Sequence, residues 1–332
     1  MKLDQVGEFG LIDRIRKLVD VPSEGIVLGI GDDAAVFRTV PGHLAVMTTD
    51  ALAEGVHFDL SYTPLESLGW KALAISISDI AAMGGIPKYA VVSMAIPENW
   101  SVEDVESFYK GMARCGHTYD CTIIGGDTVG SKSGCFISVT VVGEVEKDSV
   151  VQRNGASAGD MLCVTGSLGE SRTGREVLKS KTDVQEFPRS VKRFLEPRPR
   201  IREARELIRE TGDVTAMIDI SDGLASEIHH LCRESGVGCI IREENIPISD
   251  EAVQWTKHKE LSPVQFVLQS GEEYELLFTV KKSKFETWQK NPPKEINIIP
   301  LGGIVKRKKD IYLVRNGKRF PITLHGWDHF GA

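Results

Sequence analysis

A chain of 332 residues exceeds the ~250–300 at which single hydrophobic cores stop growing, so it calls for about two domains. Its 41% hydrophobic and 26% charged content are those of an ordinary soluble globule, and a formal net charge of −7 gives no basic footprint for nucleic acid. No apolar run approaches the ~20 residues of a membrane span, the opening MKLDQVGEFGLIDRIRK lacks a signal peptide's apolar stretch, and the six cysteines form no C-x-x-C pair, so a reduced cytoplasm is the expected home.

Apolar residues at helical spacing predict an amphipathic helix over residues 8–19, followed by short strands at Ile26–Ile30, Ala34–Val40 and Leu44–Thr48. Thr63 and Glu66 form a capping-box pattern with Pro64 at the first helical position, predicting a helix that runs through WKALAISISDIAAM to Gly84-Gly85. A strand is expected at Tyr89–Ile96. Ser101 with Asp104 should open a second helix, with Val102, Val105, Phe108, Tyr109 and Met112 as its apolar stripe. Phe136–Val145 alternates as a strand and should close a first domain, residues 1–148. In residues 149–332 the pattern becomes strand and helix units joined by Gly-rich turns. Met161–Thr165 leads through GSLGES into a helix, and Pro197-Arg198-Pro199 introduces another from Ile201. Ala216–Ile220 leads into Leu224–Ser235 with Ser221 or Asp222 as the expected cap, and Asn316-Gly317 marks a hairpin between Ile311–Val314 and Arg319–Ile322.

Acidic residues gather where these apolar segments end. Asp32 and Asp33 follow a Gly-Ile-Gly turn, Asp50 closes VMTTD, Asp127 follows Gly125-Gly126, and Asp219 and Asp222 flank Ile220-Ser221. Adjacent carboxylates repel, and several together are tolerated mainly where a cation compensates them. The chemistry suits Mg²⁺, which takes hard oxygen ligands, keeps several waters and bridges carboxylates to substrate phosphates. Asp79 carries the most weight, because a carboxylate inside an apolar helix is costly unless paired or bound to metal. The I-x-I-S-D run recurs at Ile75–Asp79 and Ile218–Asp222, compatible with both halves presenting an acidic helix end to one site.

Gly29-Ile-Gly-Asp-Asp-Ala34 matches G-x-G-x-x-A formally, yet two carboxylates would face the pyrophosphate and a strand-like segment follows, so dinucleotide binding is rejected. There is no G-x-x-x-x-G-K-[ST], H-E-x-x-H, G-x-S-x-G or protein-kinase H-R-D loop.

The set GEFGLI, GIGDDAAV, TTDALAEGVHF, KALAISISDIAAMGG, IIGGDT, RNGASAGD, IDISDGL, SGEEYELLF and GWDHF runs in that order over nearly the whole chain and resembles the thiamine-monophosphate kinase family of the aminoimidazole-ribonucleotide synthetase-like superfamily. The resemblance implies a two-domain α/β fold, a homodimer formed through the N-terminal strands, and ATP-dependent phosphorylation of thiamine monophosphate to thiamine diphosphate. It also implies several Mg²⁺ ions at Asp33, Thr48, Thr49, Asp50, Asp79, Asp127, Asp219 and Asp222. Tyr109, Gly126, Asp127, Arg153 and Ser221 match positions that bind ATP, and His57, Glu272 and Trp327 match positions that contact thiamine phosphate. Asp79, Asp127 and Asp222 are the carboxylates expected to serve catalysis. The rivals are another ATP-dependent activity of the superfamily, of ring-closing synthetase or dehydratase type, and a non-catalytic nucleotide or thiamine-phosphate sensor.

Overall fold

A computed structural model describes residues 26–28, 35–38, 41–209, 212–293 and 296–323. The helix expected over residues 8–19, and Asp32, Asp33 and Trp327, lie outside the described residues.

The first half holds β1 (Ile26–Leu28), β2 (Ala35–Arg38), β3 (His43–Ala53), α1 (Leu65–Ala82), β4 (Ile86–Pro97), α2 (Val102–Tyr119), β5 (Thr122–Ser131) and β6 (Phe136–Glu146). Six strands form one sheet in the order β1-β2-β3-β6-β4-β5, antiparallel except for the parallel pair β4 and β5 that α2 connects. Two expected acidic turns are strand interior instead. β3 runs past Thr48 to Ala53 because β6 pairs with it along its whole length, and Asp127 sits inside β5 opposite Ser93 of β4.

The second half holds β7 (Met161–Thr165), α3 (Glu170–Ser180), α4 (Pro188–Leu195), α5 (Ile201–Leu207), β8 (Val214–Asp219), α6 (Leu224–Ser235), β9 (Gly238–Arg242), α7 (Asp250–His258), α8 (Pro263–Leu268), β10 (Leu276–Val280), α9 (Lys282–Lys290), β11 (Ile298–Val305), β12 (Ile311–Arg315) and β13 (Lys318–Pro321). Its sheet has seven strands in the order β13-β12-β9-β11-β7-β10-β8. The Asn316-Gly317 hairpin forms as the dipeptide requires, with both residues at positive φ, 50° and 74°.

Two caps form differently from the sequence pattern. The Ser101 and Asp104 capping box is present, but Pro64 occupies the cap of α1, whose first turn has no side-chain cap, and the Thr63 hydroxyl is buried with no hydrogen-bond partner among the described residues. Gly223 caps α6 without a side-chain bond, so Ser221 and Asp222 are not its cap.

Helix α1 lies between the two sheets. It packs on β3, β6 and β4 of the first and on β8 of the second, and nearly every residue from Leu68 to Ala82 is buried. Such a helix reads as apolar all round because no face meets water. Among the described residues no helix is long and apolar enough to cross a membrane.

α1 and α2 meet through glycines. A Cβ built on Gly111 would stand 1.7 Å from the Glu66 carbonyl oxygen, and one on Gly69 would stand 1.9 Å from that of Phe108. Gly111→Ala should therefore lower stability by about 2 kcal/mol or more even though alanine favours helix by ~1 kcal/mol. Thermal melting checks this, and an unchanged or raised Tm would show that the helices are not in contact there.

Candidate active site

The polar side chains of α1 fix its register against both sheets. Thr48 of β3 donates its hydroxyl to Asp79 Oδ2 at 2.5 Å, Ser76 donates to Asp50 Oδ2 at 2.6 Å, and Ser78 donates to Asp219 Oδ2 at 2.5 Å. The two I-x-I-S-D runs thus touch through Ser78 and Asp219, although one is helix and the other is strand and turn, so their echo is no structural repeat. Thr48 and Asp50 share the face of β3 that meets α1. Thr49 points to the opposite face, as strand alternation dictates, where Thr140 Oγ1 donates to its hydroxyl at 3.0 Å.

The turn before β10 clamps onto the turn after β8. Glu272 N–H donates to the Ser221 carbonyl at 2.6 Å, Glu273 and Tyr274 N–H donate to that of Ile220, and Ile220 N–H donates back to Glu275. Glu272 and Tyr274 hold φ of 59° and 51°, a left-handed conformation that non-glycine residues adopt only where the surroundings impose it. Tyr274 is buried, and its hydroxyl is pushed well up by that burial and further by the charges of Glu272, Asp50, Asp219 and Asp79. The charges of four carboxylates, drawn from both halves, thus all bear on one phenol.

A cleft of about 740 Å³ opens beside them. Thr49, Asp50, His57, Ser221, Asp222 and Glu272 line it, with Ile75 and Tyr274 at the apolar side and Ser171, Arg172 and Arg175 of α3 adding two cations. Ala53 N–H donates to His57 Nδ1 at 3.0 Å, which puts the proton of the neutral ring on Nε2. Behind Asp222 the Glu227 carboxyl is buried and accepts from Asp222 N–H at 3.0 Å. Its pKa is raised by burial first and by the Asp222 charge second.

Tyr109, Gly126 and Asp127 form a separate group at the β5 edge. Tyr109 bonds Thr128 and packs edge-on against Phe108. Gly126 passes so close to β4 that a Cβ would stand 2.0 Å from the Val92 carbonyl oxygen. Asp127, Ser93, Ser138 and Ala51 face one another across successive strands, so Asp127 is about 14 Å, or three strand spacings, from β3. Arg153 does not line the cleft. Its carbonyl accepts from Ser235 Oγ at 2.8 Å, and its charge is one of those, after burial, that hold His230 down to about 3.

Among the described residues no three His, Cys, Asp or Glu side chains stand close enough to make a ready cage for one metal. The donor set still fits Mg²⁺, which uses one or two carboxylates and completes its octahedron with waters and phosphates.

Sequence reasoning missed Ser76 and Ser78 as orienting groups, Tyr274 as a buried cleft-lining phenol, and Lys71, which is 1% exposed and pairs with Glu272 Oε1 at 2.6 Å. The signal for Lys71 was available, since a lysine inside an apolar helix is as anomalous as Asp79. Arg172 and Arg175 gave none beyond their one-turn spacing.

This architecture and its acid-lined cleft define a class, the AIR synthase related proteins: residues 31–145 match that group's N-terminal domain and residues 157–296 its C-terminal domain. Thiamine-monophosphate kinase of Aquifex aeolicus (strain VF5) is 38% identical over 99% of this chain and 100% of its own length, and that of Bacillus subtilis (strain 168) is 33% identical over 97% and 99%. A solved structure described as "AaThiL complexed with AMPPCP and TMP" covers 99% of each chain at 35% identity with a TM-score of 0.86. The chain belongs to the thiamine-monophosphate kinase family.

Beside the cleft, Glu273 is wholly buried, accepts from Ser270 Oγ at 2.5 Å and from Gly169 N–H at 2.7 Å, and is pushed up to about 7 by burial. A carboxyl raised in the folded state keeps its proton after the unfolded chain has lost its own. Stability should therefore fall as pH rises from ~4.5 to ~7, by about 3 kcal/mol, and level off above that. Glu273→Gln should remove this part of the slope. Parallel pH profiles of Tm for wild type and variant would contradict it.

Proposed function

We propose that the protein transfers the γ-phosphoryl group of ATP directly to thiamine monophosphate, forming thiamine diphosphate and ADP. One observation carries the reading: a single cleft joins His57 and Glu272, which match acceptor-binding positions, to Asp50 and Asp222 beside the hydroxyl-tied Asp79 and Asp219. The full-length likeness to thiamine-monophosphate kinases, and to a solved relative holding AMPPCP and TMP, supports the same assignment.

The chemistry follows from charge. The acceptor is a phosphate monoester, so its attacking oxygen is already anionic near neutral pH and needs no strong base. The difficulty lies in bringing two polyanions together, and positioning with charge neutralisation carries most phosphoryl transfer. Mg²⁺ ions held by Asp33, Asp50, Asp79, Asp219 and Asp222 with Thr48 beside Asp79, and by Asp127 and Thr49 on the far face of the first sheet, would supply that neutralisation when bound. Thr48, Ser76 and Ser78 orient three of these carboxylates in advance, so little reorganisation remains at the moment of transfer. Ser221 in the cleft, Tyr109, Gly126 and Asp127 at the β5 edge, and Arg153 outside the cleft match positions that take the nucleotide, which would have to reach from the cleft to that edge. His57, Glu272 and Trp327 take the acceptor, the indole stacking on a ring and the carboxylate accepting from an aminopyrimidine edge. We take residues 1–148 and 149–332 as the two domains, a division supported by β6 ending at Glu146 in the first sheet and β7 beginning at Met161 in the second.

We assign the working unit as a two-fold dimer through the first sheet. β5 is an edge strand exposed along most of its length, with Ile124 and Val129 60% and 52% exposed. A long exposed edge that carries two exposed apolar side chains is a natural place for pairing with a second chain. Sedimentation at micromolar protein should give about twice the monomer mass, and a monomer that turns over would remove the assignment.

Incubation with ATP, Mg²⁺ and thiamine monophosphate should yield ADP and thiamine diphosphate in equal amounts. Thiamine should be a poor acceptor, since its neutral hydroxyl needs a base, whereas the lining carboxylates are assigned to cations and to the aminopyrimidine and His57 Nδ1 already accepts from Ala53 N–H. ADP without thiamine diphosphate, or equal use of thiamine, would overturn the reading. Asp79→Asn should keep the fold and lose ~10²–10³ in Mg²⁺-dependent rate. Wild-type-like turnover would take Asp79 out of the site.

A further inference from the structure

Lys71 is one of the largest wholly buried side chains among the described residues, and at 1% exposure its ammonium group is shut off from bulk solvent. Two contacts compensate it: the Glu272 carboxylate at 2.6 Å, and the Phe194 ring, whose centroid lies 4.1 Å from Nζ. Both come from the second half of the chain, whereas Lys71 comes from α1 in the first. Glu272 is the partner that matters to the cleft, because it lines it and is held at positive φ with its N–H bonded to the Ser221 carbonyl. A carboxylate on such a turn has a fixed backbone but a rotatable side chain, and the ion pair fixes the side chain.

The helix adds a measure of length. Lys71, Ile75 and Asp79 recur at i, i+4 and i+8, which puts them on one face of α1. Ile75 lines the cleft between the two charged ends. Eight residues of helix advance about 12 Å, comparable to two linked rings carrying a phosphoethyl arm. A phosphate held at the Asp79 end would then place the far ring of such an acceptor beside Glu272.

We infer that Lys71 is the positioning residue of the acceptor site: through its ion pair it holds the Glu272 carboxylate to receive an amino-bearing ring, at one end of an α1 face whose other end carries Asp79. The inference rests on the proposed activity and deepens it. Lys71 itself need not touch the acceptor. Its influence passes through Glu272, so it should bear on acceptors that carry the aminopyrimidine and not on those that lack it.

The test uses the full chain with two substitutions and two acceptors. Lys71→Met keeps the length and apolar stem of the side chain and removes the charge, and Lys71→Arg keeps the charge. For thiamine monophosphate, Lys71→Met should raise KM and the calorimetric Kd by about tenfold or more, leave KM for ATP within about twofold, and be partly rescued by Lys71→Arg. For hydroxyethylthiazole phosphate, which lacks the aminopyrimidine, wild type and Lys71→Met should be equally poor within about twofold. A folded Lys71→Met with unchanged acceptor KM and Kd overturns the inference, as does an equal loss on both acceptors or a loss centred on ATP. If Lys71→Met does not fold, Lys71→Arg must still show an acceptor-selective change in KM, and its absence counts against the inference. Wild type that neither binds nor phosphorylates thiamine monophosphate removes the activity and the inference together. Wild type that does both beside an unaffected variant removes the inference alone.

Discussion

The structure depends on one helix that must bury polar groups. α1 is enclosed by both sheets, yet it carries Lys71, Ser76, Ser78 and Asp79. A buried polar or charged group without a partner costs several kcal/mol, so each has to find one. The partners lie on different elements: Thr48 and Asp50 on β3, Asp219 on β8, and Glu272 on the turn before β10. Satisfying α1 therefore sets the two sheets in register. The carboxylates are held around α1 because the helix leaves few other arrangements in which all four groups are paired.

The same ties make the cleft stiff where chemistry needs it stiff. The turn at Glu272–Tyr274 holds two non-glycine residues at positive φ, each costing on the order of 1 kcal/mol, and backbone bonds to Ile220 and Ser221 offset that strain. Beneath it, Glu275 is wholly buried between Arg193, Arg200 and Thr165, a charge network that closes only when α4, α5, β7 and this turn are together. Arg205 reaches back across the halves to Glu146 and to the Gly84 carbonyl, at the end of α1. Breaking one partner of such a network leaves the other charge buried and unpaired, so the arrangement behaves as a unit.

Much of this was legible in the sequence, and the rest failed for identifiable reasons. Local chemistry gave the Asn316-Gly317 hairpin and the Ser101 and Asp104 cap correctly, because each is settled within four residues. Thr63 and Glu66 satisfied the same capping rule and did not form it, since Pro64 took the cap position and Thr63 was drawn into the interior. Asp50 and Asp127 looked like turn residues because apolar runs ended there. Pairing with β6 and β4, invisible to local pattern, carried both strands onward. Asp79 stood out as a carboxylate in an apolar helix, whereas Lys71, marked by the same anomaly eight positions earlier, was overlooked. The side of β3 on which Thr49 lies follows from alternation alone, which separates it from Thr48 and Asp50. Distance across the fold, as between Asp127 and the cleft, was beyond any one-dimensional reading.

Three of the site's carboxylates, Asp79, Asp50 and Asp219, already accept from the hydroxyls of Thr48, Ser76 and Ser78, an arrangement that suits holding cations between two reacting substrates over attack on phosphorus by a side chain. The central claim is that transfer occurs in one step between anions aligned in one cleft. The most direct measurement is the configuration at phosphorus after turnover with ATP made chiral at its γ-phosphate by oxygen isotopes. A single in-line transfer inverts that centre, and inversion is the result required here. Retention would mean two displacements through a phosphoenzyme and would contradict the account.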